Sequence, residues 1–205
     1  MQDQATEKDL RDRLDLIESM ISEGRRKTES WGWTFLLWGV AYFVAIFWAS
    51  SGGAISIWGH SSLAWPVTMF SAVGVTIAIG IWKGRGKPDT TIGRAIVSIW
   101  ISVGTSMLLI FPSLAVNGRL DEHSFVAIVA GMLAIANGAS GMILKWKSQI
   151  ACAVLWWITS VAACFGSEAQ LTIVFLSALF LCQIVFGVYA MMMESRRRQR
   201  EIAHA

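Results

Sequence analysis

Residues 31–50 read WGWTFLLWGVAYFVAIFWAS, twenty positions without one charged side chain. At about 1.5 Å per residue, a helix of this length covers the ~30 Å hydrocarbon core of a bilayer. Five more apolar runs follow the one at Trp31–Ser50, at Ala64–Trp82, Arg94–Val116, Ser124–Leu144, Gln149–Phe165 and Ala169–Met193. The 205 residues are 55% apolar and only 15% charged, where a soluble domain carries about 25% charged residues. The expectation is an all-α fold, a polytopic membrane protein with a six-transmembrane-helix bundle. The connections are short, which predicts antiparallel hairpins between neighbours.

The basic residues orient these runs. Six (Lys8, Arg11, Arg13, Arg25, Arg26, Lys27) precede the first, and Lys83, Arg85, Lys87 and Arg94 separate the second from the third. Lys145 and Lys147 follow the fourth, and Arg196, Arg197, Arg198 and Arg200 follow the sixth. The opposite connections contain only Arg119, beside Asp121 and Glu122. Loops rich in Lys and Arg stay in the cytoplasm, so both termini are expected there. The net charge of +3 sits beside the apolar runs. It reads as topology signals and anionic-lipid contacts, with no nucleic-acid footprint. A largely polar stretch of 30 residues precedes the first run, unlike the short basic region of a secretory signal. The chain therefore divides into residues 1–30 (a cytoplasmic amphipathic helix and a basic juxtamembrane segment), residues 31–193 (the transmembrane domain) and residues 194–205 (a basic cytoplasmic tail).

Within residues 6–27, Leu10, Leu14, Ile17 and Ile21 recur at 4-3-4 spacing, and Leu16 and Met20 widen the stripe. Thr6 with Asp9 resembles a capping box. This pattern predicts an amphipathic helix with a partner-binding face. Under two heptads long, it is too short for a convincing coiled coil alone. Its acidic residues, Asp9, Asp12, Asp15, Glu18 and Glu23, disfavour anionic lipid and favour packing on protein.

No Asp, Glu, Lys, Arg or His falls in the middle of any run. Such residues mark proton relays, coupled transport and voltage sensing. Their absence argues against these functions, against a histidine-held haem and against an intramembrane protease, which needs a base or metal ligand near its nucleophile. No catalytic residue, metal ligand or cofactor is assigned. Cys152, Cys164 and Cys182 read as small apolar helix residues. His60, Asp121, Glu122, His123 and Glu168 gather on the outer side without metal-site spacing, and read as loop residues.

Ser102, Ser106, Asn137 and Gln183 are the candidates for a polar path through the bundle. The competing reading is interhelical hydrogen bonding, worth about 0.6 kcal/mol per bond. In the fourth run, Ala127, Ala130, Gly131, Ala134, Gly138 and Gly141 let helix backbones approach closely. They predict either the bundle centre or an oligomer interface. Trp38, Trp48, Trp100, Trp156 and Trp157 lie deeper than an interfacial aromatic belt, as core packing or an aromatic pocket. Pro66 suits a first helical turn, Asp89, Thr90 and Thr91 suit a helix cap, and Pro112 is expected to loosen a last turn.

Leu14–Met20, Arg25–Lys27 and Phe35–Gly39 together resemble a loose group of uncharacterised small bacterial inner-membrane proteins. These share an acidic amphipathic helix, a basic juxtamembrane stretch and a Leu-Trp-Gly first span. The resemblance covers about one sixth of the chain, residues 13–45. It implies the bacterial inner membrane and no activity. The expected partners are the lipid bilayer and, beyond it, a second copy or another membrane or cytoplasmic protein. Two functions follow: assembly, as scaffold, sensor or accessory subunit, or a channel or uncoupled carrier for a small neutral or apolar solute.

Overall fold

The computed structural model describes residues 2–51, 64–84 and 91–203. They are helical almost throughout: α1 (Gln2–Glu29), α2 (Gly32–Ser50), α3 (Ala64–Gly84), α4 (Thr91–Val116), α5 (Glu122–Ile143), α6 (Lys147–Phe165), α7 (Glu168–Leu179) and α8 (Phe186–Ala203). A π-helical stretch, Phe180–Val185, joins α7 to α8 without a break. Six helices are long and apolar enough to cross a membrane, the last running from Glu168 to Arg200. This is a multi-pass membrane protein. Expectations resting on His60, Arg85, Lys87, Asp89 and Thr90 fall outside the described residues. Those resting on the side chains of Thr6 and Arg25–Lys27 fall outside the described side chains.

The chain forms two compact units. In the first, residues 1–29 and 89–178, α5 and α6 make a close antiparallel hairpin. Gly131 of α5 faces Ser160 of α6, Gly138 faces Ala153 and Trp157, and Gly141 faces Ile150. The turn between them is a Schellman closure. Trp146 N–H donates to Gly141 O at 2.8 Å and Lys145 N–H to Met142 O at 3.3 Å. Lys145 holds φ +48° there, a left-handed position where glycine is favoured. α4 ends the same way, with Arg119 N–H on Leu114 O at 2.9 Å and Gly118 at φ +63°. Pro112 lies inside α4, which runs on past it to Val116.

Side-chain caps start the next helices. Asp121 accepts from Ser124 N–H at 2.9 Å to open α5. Gln170 Oε1 accepts from Ser167 N–H at 3.0 Å ahead of α7, one half of a capping box. Aromatic rings tie the unit together. Phe125 packs on Phe111 and on Phe175, at centroid separations of 4.9 and 6.3 Å, and Trp156 packs on Phe175 at 6.2 Å.

The second unit, residues 30–88 and 179–205, is built where α2 crosses the π stretch and α8. A methyl group on Gly32 would stand 2.8 Å from Gly187 O, and one on Gly39 would stand 2.9 Å from Gln183 Cβ. The two backbones come this close only because both residues lack a Cβ. Phe35 meets Phe186 edge to face at 5.0 Å, and Tyr42 meets Trp65 at 5.9 Å. Pro66 lies in the first turn of α3.

Candidate functional site

The first half of α1 is exposed among the described residues, and its far end is docked within its own unit. Exposed ion pairs, Arg11 to Glu7 at 2.6 Å and Arg13 to Asp9 at 3.0 Å, follow i,i+4 spacing along its polar side. At its other end Gly24 is buried. A methyl group there would stand 2.7 Å from Cγ2 of Ile92 in α4 and 3.1 Å from Cδ2 of Leu144 beside the α5–α6 turn. Met20 and Ile21 are half-buried on the approach to this contact. Toward the start of the helix the stripe is exposed among the described residues. Leu10 is 61% exposed, Leu14 55% and Ile17 51%, and Leu16 is exposed with them. Three of the four predicted partner-binding residues thus form an open apolar face on a helix anchored at its far end, and Ile21 joins that face to the anchor.

The small-residue stripe of α5 lies inside the chain. Ala130, Ala134, Gly138 and Gly141 are buried, and Ala127 and Gly131 are half-buried. Ser160 Oγ donates across the hairpin to Ala127 O at 2.8 Å, and the three glycines meet α6 as described. Ile135 and Met142 of α5 are exposed instead.

The candidate polar residues divide. Within the first unit, Asn137 is buried, and its Nδ2 donates to Leu133 O of its own helix at 2.8 Å. Ser102 is exposed and Ser106 half-buried on α4, so Ser102 and Asn137 do not face one enclosed space. Gln183 belongs to the second unit and lies buried in the π stretch. π turns insert one extra residue per turn and recur at functional positions. The described residues of that unit border an open groove of about 230 Å³ between α2 and α3, lined by Val40, Val44, Val67 and Val75 among others. Thr68, on the same groove, donates to Ala64 O of its own helix. Of the deep tryptophans, Trp156 is fully buried, Trp38, Trp48 and Trp100 are half-buried, and Trp157 lays its ring edge on Gly138 while remaining exposed.

Sequence reasoning passed over the most deeply buried polar side chains. Gln149, at the start of α6, and Ser140 are fully buried. Neither the Gln149 amide nor the Ser140 hydroxyl finds a hydrogen-bond partner among the described residues. Gln149 follows a lysine pair at the edge of an apolar run, and no signal marks it as inward-facing. The charges read as loop residues are partly structural. Asp121 caps α5, and its bonds from the Ser124 hydroxyl and N–H hold its carboxyl below the usual range. His123 Nε2 lies 3.2 Å from Gly166 O, tying the start of α5 to the end of α6. Among the described residues, no group of three His, Cys, Asp or Glu side chains is placed to hold a metal. No protein-family model, curated protein or solved structure matches this chain.

Proposed function

We propose that this protein acts by assembly: it is a non-enzymatic membrane component that binds another protein chain through the cytoplasmic face of α1. The observation that carries this reading is the open stripe Leu10–Leu14–Ile17 on a helix held at Gly24. Three large apolar side chains, each a little over half exposed, leave unrealised about half of the ~1.5–3 kcal/mol that full burial of each would contribute. The acidic residues beside them disfavour an anionic membrane as the cover and favour protein. The charge asymmetry of the connections supports cytoplasmic termini, and the resemblance at residues 13–45 supports a bacterial inner membrane.

The test is sizing of a Leu14→Glu, Ile17→Glu variant in nanodiscs. Loss of the wild-type assembly, with the protein still inserted, is the expected result. An unchanged assembly state with unchanged co-purifying proteins would sink the proposal. The alternative, a channel or carrier, ranks second. Asn137 Nδ2 bonds to Leu133 O of its own helix and Ser102 is exposed, and this reading predicts that Asn137→Leu or Gln183→Leu abolishes solute flux in liposomes.

A further inference from the structure

The docked end of α1 gathers charge of one sign. Gly24 meets Ile92 at the start of α4 and Leu144 at the end of α5, so these two side chains reach the same point. Arg94 follows shortly after Ile92, Lys145 is the residue after Leu144, and Lys147 opens α6. All three basic side chains are exposed. The residues that follow Gly24 in sequence are Arg25, Arg26 and Lys27. The acidic residues of the same segments are Glu23, Glu29 and Asp89. Every one of these positions belongs to the first unit.

Basic residues elsewhere are neutralised on their own helices. Arg11, Arg13 and Arg198 each hold a carboxylate one turn back, on Glu7, Asp9 and Glu194. The side chains of Arg94, Lys145 and Lys147 make no ion pair or hydrogen bond among the described residues. Lys145 also sits at φ +48°, where glycine is the least strained residue, and no contact of its ammonium group among the described residues offsets that strain. The three residues flank helices long enough to span a bilayer, Thr91–Val116, Glu122–Ile143 and Lys147–Phe165, at the ends that meet. Such positions lie at the depth of lipid headgroups. Like charges gathered there repel unless an anion stands among them. Docking of α1 adds its own basic run to this end, so the contact at Gly24 gains from that anion.

We infer that Arg94, Lys145 and Lys147 form a phosphate site for the headgroup of an anionic phospholipid, and that its occupancy holds the end of α1 docked. The arginine offers a planar fork of N–H donors matched to phosphate oxygens, and the lysines add point charge. Anionic leaflets attract any basic segment, by about fivefold for each Lys or Arg near the surface. This site differs in being assembled from separate segments, the start of α4 and the α5–α6 turn, with the end of α1 laid against both. Leu10, Leu14 and Ile17 take no part in it, so it stands independently of partner binding through α1.

The test uses the full chain in nanodiscs of phosphatidylcholine, with and without phosphatidylglycerol. Hydrogen exchange of the peptide around Gly24 reports docking, and native mass spectrometry of lipid retained by the protein reports binding. In the wild type, phosphatidylglycerol should slow exchange around Gly24 several-fold and be retained in preference to phosphatidylcholine. Arg94→Gln with Lys145→Gln and Lys147→Gln should weaken that retention by about tenfold or more and remove the lipid dependence of exchange. Arg196→Gln with Arg198→Gln and Arg200→Gln changes the net charge equally and should leave both readouts nearly unchanged. Equal losses in the two triple variants would reduce the effect to general attraction and overturn the site. Wild-type exchange around Gly24 that ignores lipid composition, a measurement that needs no variant, would overturn the coupling to α1. Millimolar inorganic phosphate in phosphatidylcholine discs separates the sources of phosphate. It should give no protection, and protection by phosphate alone would show that the headgroup is not the ligand.

Discussion

Gly141→Ala is the most informative single substitution in α5, because its neighbours cannot move aside. The added methyl would stand 2.9 Å from the backbone N of Ile150, 2.9 Å from its Cγ1 and 3.3 Å from the carbonyl carbon of Gln149. Two of those atoms belong to the α6 backbone, so no rotamer change relieves the overlap. At Gly138 the neighbours are side-chain atoms, Trp157 at 3.3 Å and Ala153 Cβ at 3.5 Å. At Gly131 the one neighbour within 4 Å is Ser160 Oγ, at 3.4 Å. All three substitutions gain the helix preference of alanine over glycine, about 1 kcal/mol. Overpacking against backbone costs about 1–3 kcal/mol. Gly141→Ala should therefore destabilise by up to about 2 kcal/mol, Gly138→Ala should stay within about 1 kcal/mol of wild type, and Gly131→Ala should be neutral or stabilising by up to about 1 kcal/mol. Equilibrium unfolding in mixed micelles with rising dodecyl sulfate fraction measures the three differences. Equal responses at the three glycines, or a Gly141→Ala protein more stable than wild type, would refute the account of α5 packed on α6 within one chain.

Other consequences can be read in the same assay. Lys145→Gly should stabilise by about 0.5–1 kcal/mol, since a non-glycine residue in the left-handed region costs about 1–2 kcal/mol and glycine returns part of that as chain entropy. A destabilised Lys145→Gly would show that the lysine side chain makes a contact worth more than the strain. Gln149→Met keeps the shape and removes an amide without partners. It should stabilise by about 1–3 kcal/mol, and a loss of stability or of assembly would mark the amide as a binding group. The Asp121 carboxyl, held low by Ser124, contributes stability that is complete above the ordinary carboxylate pKa near 3.9 and is lost as pH falls through its lowered value. Asp121→Asn retains a capping oxygen and should remove that acid-side dependence, and identical pH profiles for the two proteins would contradict the assignment.

The membrane-spanning helices were legible because their solvent is legible. A run such as Trp31–Ser50 has no second use in a chain with so little charge, and α2 spans Gly32–Ser50. The predicted run Ser124–Leu144 became Glu122–Ile143, extended backward because Asp121 is a cap. The pattern Asp-x-x-Ser was present in the sequence, but Asp121 reads equally as a loop charge beside Arg119. Spacing also grouped Ala130, Ala134 and Gly138 on one side of α5 without naming its neighbour. The period of a helix tells which residues share a side, and only the fold shows that α6 covers them. The π stretch at Phe180–Val185 had no signal at all. It contains neither proline nor glycine, and it arises where the chain packs Gln183 and Ile184 onto Gly39. The stripe of α1 was legible as a stripe. That its first half stays open while Gly24 docks on Ile92 and Leu144 depends on where the start of α4 and the α5–α6 turn lie, and local sequence does not encode that.

Assembly is the central claim, and the mass of the intact complex tests it most directly. Native mass spectrometry of the full chain released from a lipid nanodisc reports protein stoichiometry and bound small molecules together. A symmetric oligomer, or a retained protein partner that Leu14→Glu with Ile17→Glu displaces, is the predicted result. A monomer carrying a stoichiometric non-lipid ligand would contradict the account and move attention to Asn137, Gln183 and the buried tryptophans.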